Sequence, residues 1–282
     1  MKTMSESLAI PLLESLKNDV ASRRSLASNI ASVRVGFAKG QFQTLFQPKF
    51  DLLSGKVDGV EALVLWNHPQ HGVIQPSFFI SIFERCGLLD DLLFSQLAQG
   101  LDFQRKALAA GVVLNVAFNV QSSQFSNLNF LSKVSAVLDL HKAPGAGVTF
   151  ELTETGFSDL SAAGVETLTG LRLMGCGLSI DDFGAGFSSL RRLAKFPFNE
   201  IKLDSEFVCG AVSCARYRTI ISSTLALGDA LGMPVIVEGI ETEEQRQLLM
   251  GLGCTRGQGY FFARPMSGGA LLRWLLSSDM SA

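Results

Sequence analysis

Leu178-Ser179-Ile180-Asp181-Asp182-Phe183-Gly184-Ala185-Gly186-Phe187-Ser188-Ser189-Leu190 runs from an apolar strand pattern into two adjacent carboxylates. Two glycines follow, and a helical pattern begins at Ser188. Glycine supplies the backbone freedom that a sharp strand-to-helix turn requires, and the change of apolar period marks the boundary. Taken alone, an Asp at such a turn reads as a helix cap more readily than as a ligand. The deciding question is whether other strand ends repeat the feature.

Outward from this stretch the strand-then-helix alternation continues in both directions. Strand-like runs are read at 44–50, 56–66, 112–120, 147–152, 177–181, 200–204 and 234–238, with a weaker one at 257–262. Helical patterns fill 90–109, 127–139, 160–174, 205–231, 242–251 and 268–276. Such an α/β alternation without a linker predicts a single (β/α)8, TIM-like barrel over residues 41–282. The first two runs have no good helix between them, so a hairpin and an irregular barrel are expected there. A doubly wound open sheet is the structural alternative. Residues 1–40 read as a helical lead-in or linker, with Leu8, Leu12, Leu13, Leu16 and Val20 near helical spacing and Pro11 interrupting it.

Composition narrows the function classes. An apolar content of 47% supports a sizeable core, and 24 Lys plus Arg against 26 Asp plus Glu give a net charge of -2. That balance argues against indiscriminate binding to a nucleic-acid polymer or an acidic membrane. The five cysteines are scattered and lack C-x-x-C spacing, which fits reduced thiols in a cytoplasmic protein better than a disulfide scaffold or a zinc knuckle. Three histidines offer little material for a histidine metal site or a Ser-His-Asp triad. No run approaches the roughly 18 apolar residues of a membrane span, and the first residues lack a signal-peptide pattern.

In a barrel of this kind the functional groups lie at the C-terminal ends of the strands. Those ends carry Glu61, Asn119, Glu151, Asp181 with Asp182, Lys202 and Glu238. Charge within an apolar strand is costly unless paired or bound to a cation. Five carboxylates and an amide converging from different strands therefore point to divalent metal, and an all-oxygen donor set favours Mg2+ or Mn2+ over zinc. Singly, each residue also reads as a buried ion-pair partner or a helix cap; their joint occurrence is what lowers that alternative. Gly184-Ala185-Gly186 lacks the third glycine of a dinucleotide fingerprint, and no P-loop is present. Thr242 reads as the N-cap of a helix with acids in its first turn.

Glu61-Ala62-Leu63, with Gln47-Pro48 upstream and Trp66-Asn67-His68-Pro69 downstream, resembles the signature of the EAL domains, bacterial cyclic di-GMP phosphodiesterases. Phe118-Asn119-Val120, Glu151-Leu152-Thr153-Glu154, Asp181 through Gly186, Lys202-Leu203-Asp204, Val237 through Thr242 and Gln258-Gly259-Tyr260 match its further motifs in order. The resemblance implies hydrolysis of cyclic di-GMP to linear pGpG. It implies that Glu61, Asn119, Glu151 and Asp181 hold one Mg2+ or Mn2+, while Asp181, Asp182 and Glu238 hold a second. By the same resemblance Lys202 positions or deprotonates the attacking water or stabilises the phosphorane, and Gln47 and Gln258 seat the nucleotide. Glu154 would brace the loop from Asp181 to Leu190, and the segment 183–190 with the following helix would form a homodimer contact. A regulatory domain N-terminal to this segment in a longer parent protein is a further expectation.

One position departs from the family pattern. Leu65 stands where the family usually has Arg, and leucine supplies neither charge nor forked donors for a phosphate. Weakened substrate affinity is expected. Ala185 and Phe187 replace the usual Thr and Tyr of the loop, which is a milder change. The leading expectation is an active phosphodiesterase. The alternatives are a weak or inactive domain serving as a cyclic di-GMP receptor or protein-interaction module, and a barrel hydrolase for another phosphodiester.

Overall fold

The computed structural model describes residues 29–143, 145–153, 160–184 and 189–278. Most of the 1–40 lead-in lies outside them; the helix Ile30–Ala38 is its described part, started by Asn29, whose side chain accepts from the Ala31 amide. The strands among the described residues are β1 (Phe42–Asp51), β2 (Val57–His68), β3 (Gly72–Ile74), β4 (Asn115–Asn119), β5 (Val148–Thr153), β6 (Gly177–Phe183), β7 (Glu200–Leu203), β8 (Val235–Val237), β9 (Arg256–Gly257) and β10 (Met266–Ser267).

Two compact units are formed, one from residues 44–63 and 93 onward, the other from residues up to 43 and 64–92. In the first unit, β2, β4, β5, β6, β7, β8 and β9 follow one another in parallel register. The ring closes because β1 pairs with both β9 and β2. Closure rules out the open doubly wound sheet and gives an eight-stranded barrel, with β10 added beside β1. The expected irregularity is present: β1 runs antiparallel to β9, and a tight turn whose Asp51 amide donates to Lys56 C=O returns the chain into β2.

Strand alternation sorts the side chains of this unit. Val60, Ala62, Val116, Phe118, Val148, Phe150, Leu152, Ile201 and Leu203 enter the apolar core beneath the helices. Their neighbours Glu61, Asn119, Thr149, Glu151 and Lys202 therefore lie on the opposite strand face, inside the ring. Cutting a buried ring such as Phe150 or Phe118 to Ala would cost about 3–5 kcal/mol.

The second unit has a separate aromatic core. Phe42 stacks on Trp66 with centroids 5.0 Å apart and meets Phe79 and Phe83 edge-on at 5.0 and 4.9 Å. The indole N–H of Trp66 donates to Gln41 Oε1 at 3.0 Å. Helix Pro76–Arg85 buries Phe79, Ile82 and Phe83. Its proline at the first turn carries no amide that the helix would leave unpaired.

The helices at 89–109, 130–141, 162–173, 243–251 and 268–278 match the sequence expectations to within a few residues. Two corrections stand out. The helix expected over 205–231 is two, Ser205–Ala211 and Ala215–Leu231, because Cys214 takes extended backbone angles at the second start. The weak run at 257–262 shrinks to the short β9, and the segment after it is held by loop hydrogen bonds instead. Among the described residues, no helix is long and apolar enough to cross a membrane.

Candidate active site

The polar residues come from successive strands, Glu61 from within β2 and the others from the later half of their strands or just beyond. Parallel register sets Glu61 of β2 beside Ala117 of β4, and Asn119 of β4 beside Glu151 of β5. Asp181 of β6 pairs with Thr153 of β5. Lys202 sits within β7, and Glu238 follows β8 directly. Gln258 comes one residue after β9, fixed by its own amide donating to Val237 C=O at 2.9 Å.

Lys202 occupies the centre. Its ammonium lies 2.7 Å from Glu238 Oε1, 2.8 Å from Glu151 Oε2, 3.0 Å from Asp181 Oδ1 and 3.3 Å from Glu61 Oε2. Glu61 is held further by N–H donors: Asn119 Nδ2 at 2.8 Å to Oε1 and Gln258 Nε2 at 2.7 Å to Oε2. The same Gln258 amide donates to Glu238 Oε1 at 2.8 Å, tying the two glutamates together. Glu61, Glu151, Asp181, Lys202 and Gln258 are all buried.

The backbone at Asp181-Asp182 explains how neighbouring side chains reach one place. Successive residues of a regular strand point to opposite faces. Here the β6–β7 register shifts between Ile180 and Phe183, and Asp182 takes φ of 54°, a left-handed value uncommon outside glycine. Asp181, Asp182 and Glu238 each offer one oxygen, all within 4.8 Å of one another. Asp181 Oδ1 is buried and takes part in no hydrogen bond, although it sits in the ion contact with Lys202.

Charge is unevenly compensated across the site. Burial pushes the Glu151 carboxyl up to about 7, against the pull of Lys202 and Lys49. Burial also raises Glu238 to about 8, with Lys202 opposing and Asp181 and Glu61 adding to the rise. Asp182 goes to about 6, driven by burial, then Asp181 and Asp204. Glu61 moves the other way: burial opposes its charge, but Lys202, Lys49 and the amide donors of Gln258 and Asn119 hold it low. Lys202 stays charged, because the surrounding carboxylates outweigh its desolvation. Hard, all-oxygen surroundings with too little positive charge suit a divalent cation, which would bring the three raised carboxyls down.

The expected residues are thus brought together with one distinction. Asp181, Asp182 and Glu238 form a group of the right size for one cation. Glu61, Asn119 and Glu151 are gathered around Lys202 and Gln258. Gln47 is buried but at the edge, its amide 3.5 Å from Ala263 C=O. Glu154 and residues 185–188 of the loop lie outside the described residues.

Lys49 was not among the expected residues. It is buried on β1, its Nζ 2.6 Å from Glu151 Oε1 and 3.6 Å from Glu200 Oε1. Burial works against its charge, but Glu151 and Glu200 raise its pKa overall. A cation between Pro48 and Phe50 in a strand-like run is the signal that could have found it. Asp204 is a second unexpected neighbour, contacting Asp182 while its carboxylate caps helix Ser205–Ala211 at the Glu206 amide, 2.6 Å away.

Comparison with known proteins places this arrangement. The EAL domain family model matches residues 30–265. The chain is 45% identical over 238 residues to the cyclic di-GMP phosphodiesterase RocR of Pseudomonas aeruginosa, covering 84% of this chain and 61% of that protein. It is 34% identical over 241 residues to the bifunctional diguanylate cyclase/cyclic di-GMP phosphodiesterase MucR of the same organism, covering 85% of this chain and 35% of that one. The chain therefore spans less than two thirds of these relatives' lengths. Among solved structures, the MucR phosphodiesterase in complex with cyclic di-GMP aligns with a TM-score of 0.80 at 34% identity, over 86% of this chain and 98% of that one. The EAL enzyme Bd1971 bound to cAMP and cyclic di-GMP aligns with a TM-score of 0.83 at 28% identity, over 98% of this chain and 76% of that one.

Proposed function

Because this chain belongs to the EAL domain family, we propose that it is a metal-dependent phosphodiesterase that hydrolyses one bond of cyclic di-GMP to give linear pGpG. The observation that carries the reading is the convergence of Glu61, Asn119, Glu151, Asp181, Lys202, Glu238 and Gln258 into one buried network. Likeness to relatives named as cyclic di-GMP phosphodiesterases supports the substrate.

Asp181, Asp182 and Glu238 would hold one Mg2+ or Mn2+, and Glu61, Asn119, Glu151 and Asp181 a second. Bound there, the two ions would neutralise charge growing on the phosphate and acidify a water. The protein supplies the remainder. Lys202 is one ammonium shared among four carboxylates, so cation binding that draws those carboxylates away would release its N–H donors to the water or a phosphate oxygen. Gln258 would keep Glu61 and Glu238 aimed at the reacting phosphate through its bifurcated amide, while Gln47 would contact the nucleotide. Burial of the network excludes bulk water and strengthens each charge contact.

Leu65 bears on affinity. It follows Glu61 on β2 by an even number of residues, so it shares the strand face of Glu61, and an Arg there would offer a forked phosphate contact. Its loss is worth about 1.5–3 kcal/mol, roughly ten- to a hundredfold in binding. That observation also favours a second reading, a cyclic di-GMP receptor or interaction module with little turnover.

Purified protein incubated with cyclic di-GMP and Mg2+ or Mn2+ separates the two. Appearance of pGpG, lost in Glu61→Ala, supports hydrolysis. No pGpG from the native chain, with turnover gained by Leu65→Arg, would favour the receptor or interaction-module reading. A homodimer through the segment 183–190 and the helix after it fits the apolar depression formed by Phe183, Leu190, Ile220 and Leu227, and action on this nucleotide fits a cytoplasmic protein.

A further inference from the structure

Lys49 is a buried cation to which the proposed chemistry gives no task. Its 2.6 Å contact takes Glu151 Oε1, while Lys202 takes Oε2 of the same carboxylate at 2.8 Å. The Glu151 side chain has 0% exposure, so protein donors rather than solvent set the plane of its carboxylate. Lys49 also lines a polar cavity of about 550 Å3 together with Asn115, Gly177 and Glu200. These are the first residues of β4, β6 and β7, so Lys49 reaches Glu151 from the strand-start end of the barrel. The cation cluster of Asp181, Asp182 and Glu238 lies at the other end.

We propose that Lys49 is a positioning residue of the metal centre, anchoring Glu151 Oε1 from beneath so that Oε2 is the oxygen presented to a cation. This rests on the reading of Glu151 as a metal ligand. Hydrogen-bond partners behind a ligating carboxylate typically contribute about 10- to 100-fold in metal affinity or activity. A mere compensating charge would act in the opposite direction, since deleting a positive group near a cation site strengthens cation binding. The sign of the change therefore separates positioning from charge balance.

The test is Mn2+ titration calorimetry on the metal-stripped full chain, comparing native protein, Lys49→Met and Lys49→Arg, with thermal melting measured alongside. Lys49→Met should weaken Mn2+ binding at least tenfold, and Lys49→Arg, which keeps a donor on Glu151, should recover most of it. Unchanged or tighter Mn2+ binding by folded Lys49→Met overturns the proposal. If Lys49→Met does not fold, Lys49→Ala, which likewise carries no donor, is judged by the same criterion. Failure of the native chain itself to bind Mn2+ overturns the metal-centre reading, which distinguishes that failure from an error about Lys49 alone.

Discussion

Stripping divalent cations and raising the pH should loosen this barrel, and Glu151 gives the size of the effect. Its carboxyl sits at about 7 in the folded chain against an ordinary 4.5. A raised carboxyl means that the folded state binds more protons than the unfolded state between those values, so stability falls as pH rises. The contribution is complete below about pH 4.5 and is lost as pH passes through 7. For this one group, with its side chain wholly buried, the loss is about 3 kcal/mol. With an unfolding entropy of ~2.1 cal/mol/K per residue, the 282 residues give ~0.6 kcal/mol/K, so the melting temperature should drop by about 5 °C. Glu238, raised to about 8, adds to the decline in the same sense. Glu61, held low near 2, works in the opposite sense, but its window lies below about pH 4.5. Melting curves in EDTA from pH 5 to 8.5 measure this directly. Mn2+ at about a hundred times its dissociation constant should restore about 2.7 kcal/mol at the alkaline end, and Glu151→Gln should make the slope shallower, leaving the share that Glu238 contributes. A melting temperature that climbs from pH 5 to 8 in EDTA, or a slope that is as steep in Glu151→Gln as in the native chain, would refute the reasoning.

Lys202→Met keeps volume but leaves four carboxylates without their shared cation. It should destabilise the metal-free protein by about 3–5 kcal/mol in denaturant titration at pH 8, and it should abolish pGpG release. Gly259→Ala drives a Cβ into the Ile240 backbone; it should displace Gln258 and cut turnover at least tenfold while the far-UV circular dichroism stays native. Leu65→Arg should lower KM for cyclic di-GMP by roughly ten- to a hundredfold, and an unchanged KM would show that position 65 does not meet phosphate.

The candidate site was legible because its signal is local. An acid or amide closing an apolar run is visible wherever it occurs, and Asn119, Glu151, Asp181 and Glu238 each do so, while Glu61 is an acid within the run 56–66. Lys49 escaped because a lysine in a strand usually marks a solvent face. Its burial depends on β1 pairing with β2 and β9, a non-local event that no window of residues records. The break between Ser205–Ala211 and Ala215–Leu231 was hidden for a related reason. The apolar pattern continues across Val212-Ser213-Cys214, and the two helices are fitted to one another by packing, with the Phe207 and Tyr217 rings meeting edge-on at 5.8 Å. Helix Pro76–Arg85, for which no element is expected from sequence above, left a trace as well, a proline at its start and Phe79, Ile82 and Phe83 at helical spacing.

The left-handed turn at Asp182 has a bearing on how such a site can be lost. Asn tolerates that backbone conformation at least as well as Asp, whereas a β-branched residue does not. Asp182→Asn would therefore remove one carboxylate of the Asp181, Asp182 and Glu238 group without straining the turn. Val or Ile at this position would be opposed by the backbone itself, whatever the side chain contacts.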